Sequence, residues 1–145
     1  DLMISYQAIL QNLSAAIVAL DTAQYQSAPS DAWHPTRNLG PLSQDWEHLQ
    51  FAIDLGGAAT QGRANCLVHE GCVIEFAYRD SSDGDFTTQG AMLDAARDIA
   101  DLMTTWGMSG VTCRTVPEGF GPILSDGEFA KVRIPFHMQI TNWRA

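Results

Sequence analysis

Apolar residues recur at spacings of three and four near the start of the chain. Leu2, Tyr6, Ile9, Leu10, Leu13, Ile17 and Leu20 fall on one face of a helix, and Gln7, Gln11, Asn12 and Asp21 fall largely elsewhere. The pattern dissolves over residues 26–45, where Pro29, Pro35, Gly40 and Pro41 punctuate a long connection. Strict alternation follows: Leu49, Phe51, Ile53 and Leu55 against Gln50, Ala52 and Asp54 predict a half-buried strand over 49–55. The glycines of 56–62 read as a hairpin tip. Over 66–79, Cys72, Ile74, Phe76 and Tyr78 point one way and Val73, Glu75, Ala77 and Arg79 the other, with Gly71 marking a bulge or kink.

A second helix spans 88–106. Its stripe is Met92, Ala95, Ala96, Ile99, Leu102, Met103 and Trp106, with Thr87 or Thr88 as the cap and Gly107 and Gly110 ending it. Residues 111–116 predict a short strand and 123–127 a turn. The final strand is the strongest β signal: Ala130, Val132, Ile134, Phe136, Met138 and Ile140 alternate with Lys131, Arg133, Pro135, His137, Gln139 and Thr141. Pro135 has no N–H to give a ladder, which predicts a place at or near a sheet edge.

These segments predict an α+β fold (α/β in the broad sense). It comprises one mixed four-stranded sheet, two helices on one face, and a long loop between helix 1 and strand 1. The 145 residues make one domain, 1–145, with a single core. The 66–79 strand, the second helix and the 111–116 strand form a crossover unit, which makes those two strands parallel if they are adjacent.

Charge narrows the function. Seventeen acidic residues stand against eight basic ones, for a net charge of −9. Gripping nucleic acid through its phosphates, or an anionic membrane, needs clustered positive charge, so both readings are disfavoured. No apolar run is long enough to span a bilayer. Residues 2–20 carry Gln7, Gln11, Asn12 and Ser14 and no basic flank, unlike a signal peptide. Cys66, Cys72 and Cys113 read as reduced, buried thiols, which points weakly to a reducing compartment during assembly.

Catalytic patterns are hard to find. No serine sits in a nucleophile elbow, and His34, His48, His69 and His137 lack metal-ligand spacing. Asp80, Asp83 and Asp85 form an acidic turn without the closing glutamate of a calcium loop. Cys66, His69, Glu70 and Cys72 are the one mixed cluster. Simple alternation sends Cys66 and Cys72 to one face and His69 to the other, so convergence on a metal would need a bulge. The expectation is a protein without catalytic activity, metal or cofactor. Trp33 and Trp46 are heavy apolar residues for a loop, and either fold back on the core or anchor a partner. Phe120 raises the same question in a loop rich in Pro and Gly.

The layout helix, two strands, helix, two strands resembles the tail-terminator family of long-tailed bacteriophages. Residues 49–55, 72–79 and 88–106 carry the resemblance, and above all the closing run FAKVRIPFHMQITNW at 129–143. It implies a structural virion protein at the tail–neck junction, assembled in the host cytoplasm as a homo-oligomer, typically a hexameric ring. Such a ring caps the tail tube and joins it to a neck or head-completion protein, and DNA passes through its lumen only as cargo. The resemblance brings no catalytic residues. On this reading Trp33, Trp46, Phe120, Arg133, His137 and Trp143 are candidates for subunit or partner contacts, and Asp80, Asp83 and Asp85 for the lumen lining. A neck or head-completion connector is the alternative, and a small ligand-binding or catalytic α/β domain a more distant one.

Overall fold

Ser5 opens the first helix by accepting a hydrogen bond from the Ala8 N–H at 3.2 Å, which satisfies one of the donors a helix start leaves open. In the computed structural model, described over residues 5–20, 32–36, 47–61, 63–79, 86–108, 113–117, 119, 121–125 and 128–141, that helix is α1, Tyr6–Val18. Ile9, Leu13 and Ile17 are its buried stripe. The second helix, α2, is Thr87–Thr105, and it buries Met92, Ala95, Ala96, Ile99, Ala100 and Met103. Neither Thr87 nor Thr88 caps it. The N-cap is Phe86, which has a left-handed backbone (φ 68°), is 77% exposed and makes no side-chain cap bond. A hydrogen bond from Trp106 Nε1–H to Asn12 Oδ1 at 2.9 Å ties the end of α2 to the middle of α1.

The strands are β1 (His34–Pro35), β2 (Gln50–Asp54), β3 (Ala58–Gln61), β4 (Arg63–Arg79), β5 (Cys113–Pro117), β6 (Gly121–Ser125) and β7 (Phe129–Thr141). They form one mixed sheet in the order β1-β2-β4-β7-β5, with β3 beside β4 and β6 beside β7; among the described residues only the β1–β2 pair is parallel. The four strands predicted from alternation are the path β2-β4-β7-β5, and three short segments extend it. One of these, β1, comes from the long connection; another, β6, replaces the turn predicted at 123–127. Strands β4 and β5 are both antiparallel to β7, hence parallel to one another, but β7 separates them.

Both helices pack on one face, because the inward positions there are apolar apart from His69. Phe51, Cys72, Ile74, Phe76, Tyr78, Val132, Ile134, Phe136, Met138 and Ile140 join the buried stripes of α1 and α2 in one cluster. β7 is the spine of the sheet rather than its edge. Pro135 pairs with Val73 of β4 on one side and is accommodated because, on the other, the β5 register stops at Phe136 and the β6 register starts at Arg133.

That interruption belongs to a crease across the sheet. β2 and β3 run successively along β4, broken at Leu55, Gly56 and Gly57. Opposite the break, β4 carries a bulge between His69 and Cys72, where Gly71 takes φ 71°. Across β7 from the bulge, β5 gives way to β6. A Cβ on Gly56 would overlap the Glu70 carbonyl oxygen, so the two chains approach there as closely as only glycine allows.

Candidate functional site

The sheet face away from the helices collects the polar half of each alternation. Register places Glu75 opposite Arg133 on β7 and opposite Ala52 on β2, Ala77 opposite Lys131, Arg79 opposite Phe129, and Asp54 opposite Val73. Ala52 and Ala77 are small, so they make a low floor between long charged side chains. The Arg79 guanidinium lies 5.8 Å over the Phe129 ring, a cation–π distance. A cleft of about 210 Å³ is lined by Ala52, Asp54, Val73, Glu75 and Arg133.

Glu75 is only 7% exposed, which is costly for a carboxylate unless it is paired. Its partner is the diagonal Lys131, with Nζ 3.5 Å from Oε2. That contact offsets charge, but its geometry makes no hydrogen bond, so Oε2 is buried without a hydrogen-bond partner among the described residues. Arg133, directly opposite, is exposed and makes no ion pair or hydrogen bond among the described residues. His137 lies half-buried farther along the same face, where Gln139 Nε2 also meets Cys66 Sγ at 3.4 Å.

The bulge reorders the mixed cluster. Its extra residue turns His69 and Cys72 toward the helices and leaves Cys66 on the open face, correcting the faces that simple alternation assigned. His69 is then held on both sides. The Gly56 carbonyl can only accept, so at 2.7 Å it requires Nδ1–H; Nε2 is therefore the acceptor for the Tyr6 hydroxyl, also at 2.7 Å. Tyr6 also meets the imidazole edge to face at 5.3 Å. Cys72 Sγ accepts from the Gly56 N–H and donates to the His69 carbonyl. Both ring nitrogens thus fasten α1 and the Gly56 segment to β4. Tyr6→Phe removes one of these bonds and leaves a buried nitrogen without its donor. It is expected to lower folding stability by about 1 kcal/mol, read from the urea midpoint at unchanged slope.

At the far end of β4, His48 Nδ1 accepts from the Arg79 N–H at 3.0 Å and stacks edge to face on Tyr78 at 4.5 Å. Burial pushes the Tyr78 phenol above its ordinary range, which keeps it neutral. Among the described residues no three His, Cys, Asp or Glu side chains gather at metal-binding distance.

Of the interface candidates, Arg133 and His137 share the open face. Trp33 does not join them: it is 2% exposed, with its ring against Phe51 and Phe76, so it is a core residue and not a surface anchor. The reason is local. The His34 N–H donates to Leu49 O and the Thr36 N–H to Phe51 O, stitching the segment to β2 and turning the indole inward. Trp46, Phe120, Trp143 and the lumen candidates Asp80, Asp83 and Asp85 lie outside the described residues. Asp54, Glu75 and Lys131 were not singled out from sequence, although each occupies an outward position of an alternating strand; the register that brings them together was the missing information. Compared with known proteins, the chain matches no protein-family model and no curated protein.

Proposed function

We propose that this chain is a structural subunit of a long-tailed phage virion. In this reading it is a tail terminator that assembles as a hexameric ring, caps the tail tube, joins it to the neck and lets DNA pass through its lumen. The observation that carries the reading is architectural. Two helices cover one face of a mixed sheet built on β4 and β7, and the opposite face is left to charged side chains. A two-layer subunit of this kind has one finished side and one side suited to contact, as a ring component needs. The histidine held on both ring nitrogens supports a structural rather than catalytic role for the one polar cluster under the helices.

Purified protein is expected to form closed rings in negative-stain electron microscopy. Added to polymerising tail-tube subunits, it is expected to bind tube ends and narrow their length distribution. A chain that stays monomeric up to millimolar concentration and leaves tube lengths unchanged refutes the reading. Rings that bind a portal or neck complex but ignore tube ends would favour the connector alternative instead.

A further inference from the structure

We propose that the open sheet face docks onto the acidic outer side of α2 of a second copy of the chain, so that subunits associate head to tail. The proposal deepens the ring reading and rests on it for its biological setting; its observations are the charges of the two faces. Among the described residues, the open face holds Arg79, Lys131 and Arg133 against Asp54 and Glu75. That leaves five basic and fifteen acidic residues for the rest of the chain, so this face is a local cationic excess on an acidic molecule. On the other side of the subunit, Asp94, Asp98 and Asp101 follow one another at helical spacing along the flank of α2 away from its buried stripe. Arg97 pairs with Asp94 at 3.1 Å and with Asp98 at 3.5 Å, and Asp101 is exposed beyond them, so the stripe keeps a net negative charge.

The open face is also chemically unfinished. Arg133 presents an exposed guanidinium without a partner among the described residues, whereas Glu75 Oε2 is buried beside Lys131 Nζ and is not offered to a neighbour. A carboxylate from outside would complete Arg133. The α2 stripe supplies one in Asp101. At about 210 Å³ the cleft is smaller than the usual small-molecule site, but it takes the ends of side chains. DNA fits the face less well, because two carboxylates among three cations interrupt the positive surface that phosphates need.

The two surfaces lie on opposite sides of one chain, so a two-fold dimer cannot satisfy both. The contact is heterologous, and it closes into a ring when the rotation between neighbours fits.

The test uses the full chain in sedimentation velocity at low and moderate salt. Arg133→Glu and Asp101→Arg are each expected to weaken self-association by about tenfold or more, the size of one lost charge contact. The double variant carrying both changes restores opposite charges across the contact and is expected to recover association. Asp101→Arg should melt like the parent, since that position is exposed. Arg133→Glu sets a carboxylate opposite Glu75 and is expected to melt lower, so association is compared per folded molecule below every melting temperature. Parent rings that are insensitive to either reversal would overturn this contact while leaving the ring reading standing. A double variant as weak as the singles would overturn it as well. A parent that never associates overturns both. Binding of a short DNA duplex that disappears in Arg133→Glu, with self-association unchanged, would replace the second copy by nucleic acid.

Discussion

Trp33→Ala is expected to lower folding stability by about 3–5 kcal/mol while leaving association per folded molecule unchanged. The side chain is 2% exposed, and its ring meets Phe76 at 5.1 Å and Phe51 at 6.4 Å, both nearly edge to face. Truncation removes that contact and opens a cavity beneath β1. The segment cannot easily collapse into the void, because the His34 and Thr36 N–H groups hold it to β2. The indole Nε1–H has no hydrogen-bond partner among the described residues, which is itself unfavourable for a buried donor. Trp33→Phe loses ring area but removes that orphan donor, so it is expected to cost much less than alanine. Urea denaturation at unchanged slope separates the two variants. A loss under about 1 kcal/mol for alanine would mean that Trp33 is not the core residue its burial describes.

Gly56→Ala is expected to be the most damaging single-methyl change in the chain, at about 3 kcal/mol. The new Cβ would overlap backbone, the Glu70 carbonyl oxygen, and backbone cannot rotate aside as a flexible side chain can. Relief requires the segment Leu55, Gly56 and Gly57 to lift off β4. That movement pulls away the Gly56 carbonyl bonded by His69, the Gly56 N–H bonded to Cys72, and the Glu70 N–H contact with Gly57. Gly71→Ala is the control. Its φ of 71° is unfavourable for a side chain, but a Cβ there meets nothing within 4 Å, so the expected cost is only the backbone term of about 1–2 kcal/mol. Equal losses at the two positions would rule out close approach as the cause at Gly56.

Alternation on the long strands is enough to identify the helix-facing side of the sheet, and most of the α2 stripe follows from spacing, although Ala100 is buried with it and Leu102 is only half-buried. Both follow from periodicity, which is local. The errors arose where a distant partner decides the outcome. Pro135 looked like an edge signal, but a proline needs only a gap in one neighbouring ladder, and the handover from β5 to β6 supplies it inside the sheet. Trp33 was equally compatible with core and surface, because aromatic mass in a loop does not reveal which way the backbone is stitched. Gly71 signals a bulge in the sequence, yet its effect on the faces of Cys66 and His69 follows only from the pairing with β7. The ion pair between Lys131 and Glu75 was hidden for the same reason: 56 residues of chain separate two groups that sit diagonally on neighbouring strands.

The bulge in β4 also governs which insertions and deletions this sheet can absorb over evolutionary time. On either side of it the ladder with β7 is regular, from Cys66 to His69 and again from Cys72 to Arg79. Losing one residue at position 71 would leave a regular ladder with every flanking pair intact. Losing one elsewhere in β4 would slide the remaining residues past their partners and turn core side chains toward water. In an alignment of divergent relatives, a single-residue gap opposite Gly71 is therefore compatible with the same fold. A gap at Ile74 or Phe76 would be evidence against kinship.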